Sequence, residues 1–160
     1  MHLFVWRHGA YHFFHFDVDW GQQAHLFFTT VGSLKDGELP PVLDLEQQSY
    51  RDGLTGVSPD DGARRALAWL DTIKDKLGLT PIVYTDRDFA RNFLTNPKFG
   101  DYPLWLAAYG VPRPPAPMPW TKLTFWQHDE HGICPGVSGD CDLDQFIGNS
   151  ADLSGLCKQL

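Results

Sequence analysis

From residue 40 to residue 110, short apolar runs alternate with longer amphipathic ones, and few folds are open to a chain with that rhythm. PPVLDLE (40–46) is bounded by prolines and too short for a helix, so it reads as a buried strand. Ser58 then supplies a helix cap, with Pro59 at the first helical position and Asp61 three residues after the cap. Ala63, Ala66, Leu67, Leu70, Ile73 and Leu77 recur at three- and four-residue steps before Gly78. That spacing predicts a helix that covers a sheet with one face. PIVYTD (81–86), RDFARNFLTN (87–96) and YPLWLAAYG (102–110) continue as strand, helix and strand. Upstream, GAYHFFHF (9–16) has the aromatic density of a strand, and DVDWGQQAHLFFTTVG (17–32) suits a helix ending at Gly32. Repeated strand–helix units predict an α/β fold with a parallel sheet and helices outside it. After the proline-rich connector VPRPPAPMP the rhythm changes. LTFWQHD (123–129) and CDLDQF (141–146) read as two strands with no helix between them.

At 160 residues with 42% hydrophobic side chains, the chain can bury one core, and residues 1–160 are expected to form a single domain. A net charge of -7 without a long basic stripe argues against nucleic acid or an anionic membrane surface as partner. No apolar run is long enough to span a bilayer, so membrane insertion is not expected. The opening MHLFVWRHGAYHFFHF is broken by Arg7 and four histidines and does not read as a signal peptide. Cys134, Cys141 and Cys157 lack the paired spacing of a structural zinc site. Cys134 and Cys141 flank a Pro/Gly-rich loop, and either a bridge or two reduced thiols is open to them.

The strand PPVLDLE ends in two carboxylates one residue apart. Residues i and i+2 of a strand share a face, so Asp44 and Glu46 project side by side with Leu45 pointing away. In parallel sheets and barrels, reacting groups gather at the C-terminal strand ends, which is where this pair falls. Two neighbouring carboxyls repel as anions, so one tends to hold a proton while the other stays ionised. Glycosidic cleavage needs that division: an acid for the departing oxygen and an anion for the positive charge growing on the sugar. Solvated strand-end charges would produce the same two letters, and the pair alone does not decide.

The order of segments carries more. GAYHFFHF, QQAHLFF, LPPVLDLEQ, PIVYTD, YPLWLAAYG and finally LTFWQHDEHGICPGVSGDCDLDQFIG together resemble the glycoside hydrolase family 25 lysozymes, the Chalaropsis-type N-acetylmuramidases. The last segment, WQ followed by a Pro-Gly loop and DLDQF, is the most specific. The resemblance implies a (β/α)-barrel with an irregular C-terminal β half. It also implies cleavage of the β-1,4 bond between N-acetylmuramic acid and N-acetylglucosamine in the peptidoglycan of the cell wall, with no metal or organic cofactor. It makes Glu46 the general acid, Asp44 its partner toward the substrate's N-acetyl group or the cationic transition state, and Asp142 a further active-site carboxylate. Against the family pattern the chain lacks the opening strand, helix and second strand, together with an aspartate on the first of them. It therefore reads as N-terminally truncated. The strand at 9–16 would then be an exposed sheet edge inviting a homo-oligomer. A weakly active or inactive glycan-binding or assembly module is the alternative function.

Sugars stack their C–H faces on aromatic rings, so Tyr11 and Phe13 on one strand face, Tyr84, and Trp105 with Tyr109 are candidate substrate contacts, as core packing would equally use them. Gln127 is a candidate hydrogen-bonding group. His128, Asp129, Glu130 and His131 are adjacent in sequence and read as a solvated loop rather than a metal site. His12 and His15 read as satisfied strand residues.

Overall fold

A computed structural model describes residues 7–47 and 56–158 of the chain. Most of the polar, Gly-containing stretch between PPVLDLE and Ser58 lies outside them. Six strands form one sheet in sequence order: β1 (Tyr11–Phe13), β2 (Val42–Leu45), β3 (Ile82–Asp86), β4 (Leu104–Ala107), β5 (Phe125–Gly132) and β6 (Cys141–Phe146). β1 to β5 run parallel, and β6 returns antiparallel to β5. The helices are α1 (Trp20–Val31), α2 (Pro59–Leu77), α3 (Arg87–Phe93) and α4 (Ser150–Leu156). The fold is mixed α/β, and its six-stranded sheet curls into a half-barrel.

Strand alternation divides the sheet into two faces. Leu43, Leu45, Val83, Thr85, Leu104 and Leu106 point toward the helices and are fully buried. There they join Phe14, Phe16, Trp69, Leu70 and Ile73 in the main core. α2 forms as its caps dictate: the Ser58 hydroxyl accepts from the Asp61 amide, and Gly78 takes the left-handed conformation that ends it. On the opposite, concave face, Val42, Ile82 and Phe125 make a second apolar cluster at the lower end, sealed by Leu153 and Leu156 of α4. This helix is held by a reciprocal capping box between Asn149 and Asp152. Behind it, the Gly37 N–H donates to the Lys158 carbonyl and the Lys158 N–H to that of Glu38, both at 2.9 Å. Arg7 ties Gly37 to Ser154. The C-terminal segment thus reaches back to the start of β2.

Two elements differ from expectation. The strand expected over 9–16 is only Tyr11–Phe13. Beyond it the backbone leaves the sheet because side chains satisfy it: Gln23 accepts from the His15 N–H and donates to the carbonyls of His15 and Val18, and Arg65 donates to that of Phe16. The expected loop at His128–His131 is strand, since β5 runs on to Gly132 through two irregularities in its pairing with β6. Gly132 is needed there, because a Cβ would collide with the Leu143 side chain.

Candidate active site

A cavity of about 300 Å³ opens on the concave face at the C-terminal ends of the parallel strands. Tyr11, Val42, Asp44, Glu46, Tyr84, Trp105, Gln127, Asp142 and Asp144 line it. Register explains the convergence, because Phe13, Asp44, Tyr84, Trp105, Phe125 and Phe146 lie in one row across the sheet. A larger cavity of about 640 Å³ sits at the other end of the strands, among Thr80, Trp120 and Thr124, and contains none of the residues singled out from the sequence. Chemistry, not size, selects the smaller one.

Asp44 is buried at the floor, 9% exposed, and its carboxyl is hydrogen-bonded to that of Glu46. Burial first, then the charge of Glu46, pushes Asp44 up to about 8. Burial also raises Glu46, helped by the charges of Asp86 and Asp142 and opposed by the hydrogen bond from Asp44. The pair titrates as a unit, with one proton shared between the two carboxyls at neutral pH. The Oδ1 of Asp44 has no hydrogen-bond partner among the described residues. Glu46 is the more exposed member, open to whatever occupies the cavity.

An aromatic wall stands over this floor. The hydroxyls of Tyr84 and Tyr109 both donate to the Gln127 side-chain oxygen at 2.6 Å. Gln127 is 4% exposed, so the two tyrosines hold its amide in one orientation. Burial raises both tyrosines above their ordinary range, and they remain donors. The Trp105 ring meets Tyr84 edge-on at 5.8 Å and tilts over Phe125 at 5.1 Å. Tyr11 is 71% exposed at the cavity mouth. Phe13 shares its strand face and pairs with Asp44 in register, but its ring lies against His15 and not in the cavity lining. Tyr109 borders the cavity only through Gln127. His12 faces the helices, stacked on Trp69 and bonded to Gln23, and burial lowers its pKa.

β6 brings two carboxylates, Asp142 and Asp144, to the side opposite β1. Sequence reasoning took Asp142 and passed over Asp144, although Asp144 follows it at the same two-residue spacing that drew attention to Asp44 and Glu46. Asp144 accepts the Trp105 indole N–H at 2.7 Å. Partial burial against the cleft raises it, and the Trp105 bond opposes that rise. Asp86 was also missed. It ends β3, caps α3 through the amides of Asp88 and Phe89, and adds its charge to the field at Glu46. No group of three or more His, Cys, Asp or Glu side chains among the described residues is arranged to hold a metal ion, and Cys134, Cys141 and Cys157 are free thiols.

The same chain is similar to a family of glycosyl hydrolases and to proteins named as lysozymes and muramidases. The family model described as glycosyl hydrolases family 25 matches residues 5–137, a span that takes in β1 to β5 and stops before β6. YegX of Escherichia coli strain CFT073 is 34% identical over 148 residues, covering 92% of this chain and 50% of that protein. An N,O-diacetylmuramidase of Arthroderma benhamiae is 34% identical over 160 residues, covering 95% of this chain and 61% of that protein. The bacterial lysozyme of Streptomyces coelicolor has a structure that matches with a TM-score of 0.84 at 28% identity, over 93% of this chain and 71% of that one. The chain spans about half the length of the first curated relatives it matches. On the strength of a match that runs through most of its sequence and all five parallel strands, the chain belongs to glycosyl hydrolase family 25.

Proposed function

We propose that this chain is a peptidoglycan hydrolase of the muramidase type, cutting the β-1,4 bond between N-acetylmuramic acid and N-acetylglucosamine in the cell wall. The observation that carries this is the Asp44–Glu46 pair: two hydrogen-bonded carboxyls, raised by burial, at the floor of an aromatic-walled cavity. A pair holding one proton at neutral pH supplies both an acid and an anion. Glu46, the more exposed, passes the shared proton to the glycosidic oxygen as the bond to the anomeric carbon breaks. Asp44 then bears the negative charge that faces the developing cation. Water adds to the anomeric carbon, and its proton returns to the pair. The unpartnered Oδ1 of Asp44 is a buried acceptor suited to the amide N–H of an N-acetyl group, which would answer its unmet hydrogen bond. Trp105 offers a ring face for sugar stacking, and Gln127, with Tyr84 and Tyr109 behind it, fixes the polar side of the groove. Asp142 adds to the negative field that raises Glu46.

Incubation with purified cell walls tests this directly. Turbidity should fall, new reducing ends should appear, and mass analysis of the fragments should place N-acetylmuramic acid at them. Glu46→Gln should keep the fold and glycan binding while lowering turnover by about 10²-fold or more, the scale of general acid catalysis. A folded Glu46→Gln variant with undiminished turnover would remove Glu46 from the role. Binding of glycan by the wild-type chain without any new reducing ends would leave a binding module instead.

A further inference from the structure

We propose that Asp144 is a positioning residue that sets the ring of Trp105 as the sugar-stacking wall of the cleft. This rests on the glycan-hydrolase function proposed above. Trp105 lies on β4 and Asp144 on β6, two strands away and 39 residues on in sequence, with β5 between them. The indole therefore reaches across Phe125 to find its acceptor, and the 2.7 Å bond from Nε1 to Oδ1 fixes the side chain at its far end. An indole has one donor and no acceptor, so this bond meets its whole polar requirement. A carboxylate acceptor makes it charge-assisted and shorter than a neutral one. The remaining ring contacts, Tyr84 at 84° and Phe125 at 35°, are apolar and tolerate rotation far better than the bond does. Without Asp144 the ring keeps its neighbours and loses its orientation.

Asp144 is not interchangeable with Asp142 in this respect. Both line the cavity, but Asp142 enters the electrostatics of Glu46, whereas Asp144 is bonded to Trp105. A contribution from Asp144 through the wall, rather than through the proton, predicts weaker glycan binding with little change in turnover at saturation. Asn keeps a side-chain oxygen acceptor at the same place, whereas Leu removes it at similar size.

The test uses the full chain with Asp144→Asn, Asp144→Leu, Trp105→Phe and the Asp144→Leu/Trp105→Phe double variant. The Trp105 indole N–H resonance, assigned by its loss in Trp105→Phe, is followed by NMR, and binding of a soluble stem-free peptidoglycan tetrasaccharide is titrated. Asp144→Leu should move the resonance toward that of a free indole and weaken binding by about three- to tenfold, with kcat nearly constant. Asp144→Asn should largely retain both. In the Trp105→Phe background, Asp144→Leu should cost nothing further. An unmoved indole resonance in Asp144→Leu overturns the positioning role whatever the activity. Equal losses from Asp144→Leu with and without Trp105, or a fall in kcat shared by Asp144→Asn, overturn it in favour of direct contact or charge. A wild-type chain that fails to bind the tetrasaccharide defeats the hydrolase function itself, while the resonance still reports on the bond.

Discussion

The two ends of the concave face are built from the same strands, yet they do opposite things. At the lower end the inward positions are Val42, Ile82 and Phe125, closed by Leu153 and Leu156 of α4. One strand step up they become Asp44, Tyr84 and Gln127, and a further step brings Glu46 and Asp86. β6, running the other way, reads Phe146, Asp144, Asp142 in the same direction. A period of two residues thus moves these strands from packing to chemistry while their helix-facing sides stay mostly apolar, with polar members such as Thr85 and His12. The lower end can bear its burial because the buried members of its cluster are all apolar. Burial at the upper end instead holds a proton on carboxyls that water would ionise.

Upper-end chemistry placed at the lower end should unfold the chain. Ile82 is 1% exposed, and Ile82→Asp places a charge there with no cation in its cluster. A buried unpaired charge costs several kcal/mol, about the whole stability of a domain this size. Circular dichroism should show no cooperative melt near neutral pH, and a variant melting like the parent would mean that the lower end is not a closed core.

Asp44→Asn probes the upper end in the reverse sense. Its folded pKa is raised to about 8, above the unfolded value of about 4. Its favourable share of stability is therefore complete below about pH 4 and is lost as pH rises through about 8. The parent should lose stability across that window relative to Asp44→Asn, by on the order of a few kcal/mol in urea unfolding. Parallel stability curves would show that Asp44 ionises as freely in the fold as in water.

Smaller effects grade the boundary between the two ends. Leu153→Ala, trimming a partly buried contact of α4, should cost about 1–2 kcal/mol by denaturant melt. Tyr84→Phe removes one of two hydroxyls on the Gln127 oxygen and should cost about 1 kcal/mol or less, because Tyr109 still donates. The same substitution should weaken glycan binding measurably, whereas Leu153→Ala should not. If the two variants exchanged these signatures, the division into a packing end and a chemical end would fail.

What could be read in the sequence was what is local. α2 was legible to the residue at both ends because Ser58, Pro59 and Gly78 act within a turn of themselves. Asp44 beside Glu46 followed from strand geometry alone. β1 came out shorter than its aromatic density suggested because Gln23 and Arg65, on helices, draw the backbone off the sheet. α4 left little trace, being seven residues held by one capping box with no long apolar period. The bonds from Tyr84 and Tyr109 to Gln127 and from Trp105 to Asp144 span 43, 18 and 39 residues of sequence, so only the sheet register brings the partners together. Asp144 was hidden in plain view, since its spacing was the one already used and its partner lay on another strand.

At neutral pH the upper end keeps one proton shared between Asp44 and Glu46. Carboxyl carbon NMR of the full chain, titrated from pH 3 to pH 10 with Asp44→Asn and Glu46→Gln for assignment, measures this most directly. Asp44 should titrate near 8, Glu46 should titrate above the ordinary range of a glutamate, and removing either carboxyl should alter the other's curve. Two independent titrations near 4, each indifferent to loss of the other carboxyl, would contradict the account.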